Sequence, residues 1–308
     1  MSTEPGVALA EPTSVERRSR RASWSMVVGL TIVGLIIVSA VISFFWTPYD
    51  PIKVDATSRF LPPSSTHWLG TDALGRDVFS NLMAGARITL LVGFISVGVG
   101  AVVGVPIGIL AAVSGGATSI TMQRLTDLLL TFPALLLAIA FGSIWGASTQ
   151  TAMLAIGIAT APGFARLARA GTLQVMSTEY VVAARVAGHG RPYIVGRHVL
   201  PNISGMLLVQ ASVVFGIAVI AESALSFLGF GTPPPTPSWG LMLQQAQSVL
   251  FREPILSFWP AAAICIAVLG SPRLTDTEID AFAGMKNVSS EVLRKIGTHR
   301  EWAKRYAV

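Results

Sequence analysis

Six apolar stretches, each near the length that crosses a lipid bilayer, dominate this chain: 24–46, 88–113, 125–145, 149–167, 203–228 and 254–270. At a helical rise of about 1.5 Å per residue, about 20 apolar residues cover a hydrocarbon core of about 30 Å. The expected fold class is therefore an all-α polytopic membrane protein with six transmembrane helices. Composition agrees. Only 12% of the 308 residues are charged and 52% are apolar, whereas a soluble domain carries about 25% charge to stay hydrated. A very apolar soluble enzyme is the weaker reading.

The first run is bracketed by Trp24 and Trp46 and preceded by Arg17, Arg18, Arg20 and Arg21. Interfacial tryptophans and a basic flank suit an uncleaved first span with its N-terminus in the cytoplasm. The run is too long for a signal peptide, and no Ala-x-Ala site follows it. Alternating the spans puts 47–87 outside, the 113–124 turn inside and 146–149 outside. Arg166, Arg169 and residues 179–201 then return to the cytoplasm, as do both termini. Residues 1–22 read as a disordered cytoplasmic segment, 23–270 as the membrane domain and 271–308 as a polar helical tail. In that tail Thr275 and Glu278 have capping-box spacing. The sixth run has 17 residues, so at about 25 Å it looks clipped.

Features within the spans are mostly architectural. Gly100, Gly104 and Gly108 place two small-residue steps on one helical face, a pattern that lets backbones approach closely, within this chain or against another. Pro106, Pro133 and Pro162 interrupt spans. Kinks there, at Pro133 above all, fit a moving pathway and fit plain bundle geometry equally. Asp127 has Arg124 three residues away as a local partner. Glu222 shows no local partner and is a translocation or gating candidate, with a structural hydrogen bond as the even alternative.

Several chemistries are excluded. The single cysteine, Cys265, permits neither a disulfide nor a cysteine metal site. Four histidines lie scattered without ligand spacing, so no metal site is expected. No G-x-x-x-x-G-K-[ST] loop occurs, so the chain does not bind ATP in the P-loop manner. No catalytic residue and no cofactor of its own are expected.

One segment departs from the apolar pattern. "EYVVAARVAGHGRPYIVGRHVLPN" spans Glu179–Asn202 and carries Arg185, Arg191 and Arg197 between two spans. Ala183, Ala184 and Ala187 favour helix, and Gly188 and Gly190 end it. Arg191-Pro192 opens a second short helix that stops at Leu200-Pro201. Such a helix–turn–helix could lie flat on lipid headgroups or dock into a groove on a cytoplasmic partner.

That segment resembles the "EAA" loop of ABC-importer permeases. Two more stretches, His67–Leu90 ("HWLGTDALGRDVFSNLMAGARITL") and Ala221–Leu243 ("AESALSFLGFGTPPPTPSWGLML"), resemble signatures of the "C" permeases of dipeptide, oligopeptide and nickel importers. Val182 and His198 depart from the usual loop pattern, and the resemblance covers roughly residues 24–270. It implies a type I importer permease fold in a bacterial cytoplasmic (inner) membrane. It implies a homologous second permease, two ATPase subunits that bind ATP-Mg, and an extracytoplasmic substrate-binding protein, with no nucleic acid. By resemblance Glu179, Ala183, Ala184, Arg185, Gly188, Arg191, Arg197, Leu200 and Pro201 couple to the ATPases. Gly75, Arg76, Asp77 and Trp239 become candidates for contact with the binding protein, Trp239 as an interfacial anchor of the outer loop. Short peptides lead as substrate and nickel chelates follow. A passive channel and a membrane scaffold are the rival classes.

Overall fold

The computed structural model describes the backbone of residues 19–270, with side chains from residue 31 onward. The expected capping box at Thr275 and the polar tail lie outside the described residues.

Among the described residues ten α-helices follow one another: α1 (Ser19–Phe45), α2 (Val78–Ser114), α3 (Gly116–Thr131), α4 (Ala134–Trp145), α5 (Thr149–Met176), α6 (Glu179–Val186), α7 (Arg191–Ile194), α8 (Leu200–Phe227), α9 (Trp239–Gln247) and α10 (Ile255–Gly270). A π-helical turn, Val195–Val199, joins α7 to α8. No strand occurs among the described residues.

Among the described residues, three helical stretches are long and apolar enough to cross a membrane: α2, α5 and the continuous run Arg191–Phe227. A fourth crossing requires α3 and α4 to count as one span bent by 84°. Thr31–Phe45, the part of α1 whose side chains are described, and α10, which reaches the last described residue, are shorter apolar stretches. Among the described residues, length and composition alone therefore support three crossings, or four with the bent pair, of the six expected.

Several boundaries move for identifiable reasons. α2 begins at Val78, ten residues before the expected 88, because Asp77 caps it by accepting from Ser80 N. The expected turn at 113–124 is only Gly115, since α3 starts at Gly116. The expected span 125–145 breaks at Phe132-Pro133, where Pro133 is the extended N-cap of α4. A proline disfavours helical backbone in the residue before it, and Phe132 is extended accordingly. α5 runs on to Met176 rather than ending near 167. α1 starts inside the segment expected to be disordered, at Ser19.

The bundle is organised around α2 against α5. A Cβ at Gly104 would strike the carbonyl of Ala161 and the Phe164 side chain, and one at Gly108 would strike the carbonyl of Ala165. The small-residue stripe is therefore an internal seam. Phe164, wholly buried, fills the crossing. One end of the bundle gathers residues 46–77 and α9, held by hydrogen bonds from Arg76 to Gln245 and from Trp239 to Leu82 of α2. The other gathers α6, α7 and the π turn. A buried cluster of Ile109, Ala168, Val175, Val181, Ile194, Val199 and Ile203 fastens that second end to α2, α5 and α8.

Candidate functional site

At the α6–α7 end, α6 and α7 form the helix–turn–helix expected from their alanines and glycines. Gly188 has φ +84°, a left-handed conformation in which a side chain strains the backbone. Gly188 N donates to Arg185 O at 3.0 Å and His189 N to Ala184 O at 3.1 Å, closing the end of α6. Gly190 caps α7, with Pro192 in its first turn.

The expected stop at Leu200-Pro201 is not there. Pro201 directly follows the π turn, where the i−4 hydrogen-bond ladder is already interrupted and Leu200 N donates to Val195 O, so its missing N–H is tolerated inside a helix that runs on to Phe227. The second half of the segment is thereby the tip of a 37-residue rod. π turns of this kind recur at functional sites.

Burial divides the segment into two faces. Val181, Ile194 and Val199 point inward. Glu179, Ala183, Arg185, Gly188, Arg191, Arg197 and Leu200 are exposed, Ala184 is half-buried, and Val186 is 85% exposed beside exposed Val182 and Tyr193. A row of rings stiffens the pair: His189 stacks on Tyr193 at 4.2 Å, and Tyr180 and Tyr193 both flank His198. Asn202 Nδ2 donates to His198 O at 2.6 Å and to Tyr180 Oη at 3.3 Å. Sequence reasoning passed over these rings as site residues. The i, i+4 spacing of His189 and Tyr193 was the available signal.

The opposite end is a built loop. Gly75 (φ +76°) passes so close to Asp55 that a Cβ would overlap the Asp55 carbonyl. Arg76 is buried, donating from Nε to Asp72 Oδ2 at 2.7 Å and from Nη2 to Gln245. Asp77 is also buried, held between His67 Nδ1 at 2.9 Å and the Ser80 hydroxyl at 2.7 Å. Hydrogen bonds from the Thr57 hydroxyl and backbone, then from Ser58, hold the Asp55 carboxyl down at about 2.

Trp239 is not an exposed interfacial anchor. It opens α9, is 3% exposed, lies against Gly85 and donates its indole N–H to Leu82 O at 3.0 Å. Of the four loop residues singled out, Arg76, Asp77 and Trp239 support the loop from within. Trp68 and Phe251 stand outside it.

Glu222 has a local partner after all. Ser226, one turn on, donates to Glu222 Oε1 at 2.7 Å, and Thr232 Oγ1 donates to the same oxygen at 3.3 Å. Glu222 is wholly buried, and Ser226 Oγ also accepts from Thr232 N at 2.9 Å. The acid thus ties the loop after α8 back onto α8. Pro133 lies exposed at the α3–α4 bend, far along the chain from Glu222. Asp127 pairs with Arg166 of α5 at 2.6 Å, not with Arg124. The helix crossing brings Arg166 to it.

Comparison with known proteins matches this architecture. The family model described as "Binding-protein-dependent transport system inner membrane component" matches residues 104–272. The chain is 35% identical over 255 residues to the dipeptide transport system permease DppC of Alkalihalophilus pseudofirmus, covering 83% of this chain and 84% of that one. It is 33% identical to the nickel transport system permease NikC of Escherichia coli, covering 80% of this chain and 89% of the other. A chain from the inward-facing MetNI methionine ABC transporter shares the fold, with a TM-score of 0.53 at 21% identity, covering 65% of this chain and 95% of that one. A helical bundle built on the α2–α5 seam, matched over these lengths, belongs to the binding-protein-dependent inner-membrane components, as a permease of the dipeptide, oligopeptide and nickel group of ABC importers.

Proposed function

We propose that this chain forms half of the pathway by which an ATP-driven importer moves short peptides, and that residues 179–201 are its handle for the ATPases. The observation that carries the reading is the continuity of α7, the π turn and α8. A partner that grips the exposed face of α6 and α7 moves the α8 rod directly. Exposed Val182, Val186 and Tyr193, with exposed Arg185, Arg191 and Arg197 in the same segment, suit a groove that offers apolar and acidic groups. Nucleotide-driven closure of the ATPases then biases the bundle between inward- and outward-open arrangements.

On this reading the α6–α7 end and both termini face the cytoplasm, and the loop end faces outward toward a substrate-binding protein. Buried Arg76, Asp77 and Trp239 shape that outer surface, while Trp68, Leu74 and Phe251 present it. A homologous second permease completes the pathway. Dipeptide transport by a relative 35% identical supports short peptides as cargo. Nickel chelates are the second reading, favoured by the nickel permease at 33% identity.

The test is reconstitution in vesicles with candidate ATPases, permease and binding protein. Cysteines at the exposed positions 183, 185 and 197 are expected to cross-link to an ATPase, and labelled dipeptide to accumulate only with hydrolysis. Flux without nucleotide would make the chain a channel. ATPase cross-links with no flux of either cargo would make it a scaffold.

A further inference from the structure

Three helices meet around a cavity of about 180 Å3 in the half of the bundle nearest α6 and α7. Gly108 of α2 and Ala165 of α5 form part of its apolar wall, and Gln123, Asp127, Arg166 and Arg169 supply its polar side. The Asp127 and Arg166 side chains bond at 2.6 Å yet remain 60% and 61% exposed. Charges on apolar spanning helices are costly against lipid and face a water-filled path or protein instead. Arg169, three residues beyond Arg166 on the same helix, is different. Its Nε is sealed from solvent, and no group among the described residues accepts a hydrogen bond from it. Asp127 already neutralises Arg166. Among the described residues, the Arg169 guanidinium in this cavity has no ion-pair partner.

We propose that this cluster is an oxyanion site on the wall of the translocation path, which takes the carboxylate of the passing solute. Arg169 is its principal ligand. The inference rests on the importer reading above. A guanidinium presents a planar fork of donors that matches a carboxylate. Asp127 limits the grip, because an anion that reaches Arg166 must compete with it. A transport site needs both properties, binding firm enough to admit the solute and weak enough to release it. Lipid phosphate offers the same oxyanion chemistry, and the lipid arm of the experiment separates the two sources.

The experiment uses the assembled transporter in vesicles, with Cys265→Ser removing the chain's one cysteine and Gln123→Cys as a reporter in the cavity wall. Labelling by a membrane-impermeant methanethiosulfonate is timed with and without millimolar alanyl-alanine or its C-terminal amide. The expected result is labelling slowed several-fold by the dipeptide, not by the amide, with protection lost in Arg169→Gln and partly kept in Arg169→Lys. No labelling, equal protection by the amide, or labelling that responds only to anionic lipid content would each overturn the site. Hydrolysis-coupled uptake is measured in the same vesicles. Uptake without protection refutes the site alone, whereas protection without uptake refutes the importer reading alone.

Discussion

Glu222 and Ser226, one turn apart on α8, share a 2.7 Å hydrogen bond in a part of the bundle closed to solvent, and Thr232 donates to the same carboxylate oxygen. Replacing Glu222 with alanine leaves the Ser226 and Thr232 hydroxyls without this acceptor. A cost of about 1–3 kcal/mol is expected, the penalty for stranding buried polar groups. Glu222→Gln keeps an acceptor oxygen and is expected to cost less. Thermal unfolding of the purified protein in detergent checks the order.

Close approach of α2 to α5 gives a sharper contrast. Gly104→Leu forces a side chain into the Ala161 backbone, whereas Gly98 on the same helix has nothing within 4 Å of its hypothetical Cβ. Overpacking costs about 1–3 kcal/mol where neighbours can shift, and backbone shifts less readily than a side chain. Gly104→Leu is expected to lose the folded monomer peak in size-exclusion chromatography, and Gly98→Leu to keep it.

At the turn between α6 and α7, Gly188→Val tests backbone geometry without steric contact, since nothing lies within 4 Å of that position and φ is +84°. The strain is about 1–3 kcal/mol, borne by a turn on the exposed face. Gly196→Ala, with open space and no left-handed backbone, is the control. Transport per ATP hydrolysed is expected to fall several-fold for Gly188→Val and to hold for Gly196→Ala.

The outer loop has a pH signature. Asp55 titrates near 2, below its ordinary 3.8, because Thr57 and Ser58 donate to the ionised carboxylate. A depressed folded pKa stabilises the loop above the unfolded value and withdraws that support as pH falls through the folded one. Loop order is therefore expected to decline between about pH 4 and pH 2. Proteolysis of the 55–75 loop by an acid-active protease reads it. Asp55→Asn is expected to be cleaved readily throughout, with little pH dependence.

How far residues alone reveal such a molecule depends on whether the deciding interaction is local. The α6 turn was legible because its cause lies in adjacent residues, an alanine-rich helix followed by Gly188. Passage through Leu200-Pro201 was not, because proline is equally at home after a helix and in its first turn. Pro133 marked a place where α3–α4 could bend, but 84° reflects packing that no neighbouring residue encodes. Arg124 looked like the partner of Asp127 by spacing, and helix crossing substituted Arg166. The expectation for Trp239 rested on the habit of aromatic residues to seek the membrane interface. The space beside Gly85 drew it inside instead.

The π turn at Val195–Val199 carries a mechanical consequence. It holds one residue more than an α-helical turn, and everything from Leu200 to Phe227 is seated beyond it. Were that surplus residue passed to a neighbouring coil, the whole of α8 would screw through about 100° and travel about 1.5 Å along its axis. A small tug at one tip of the molecule would then reach Glu222 as rotation, a gearing that a straight helix does not possess.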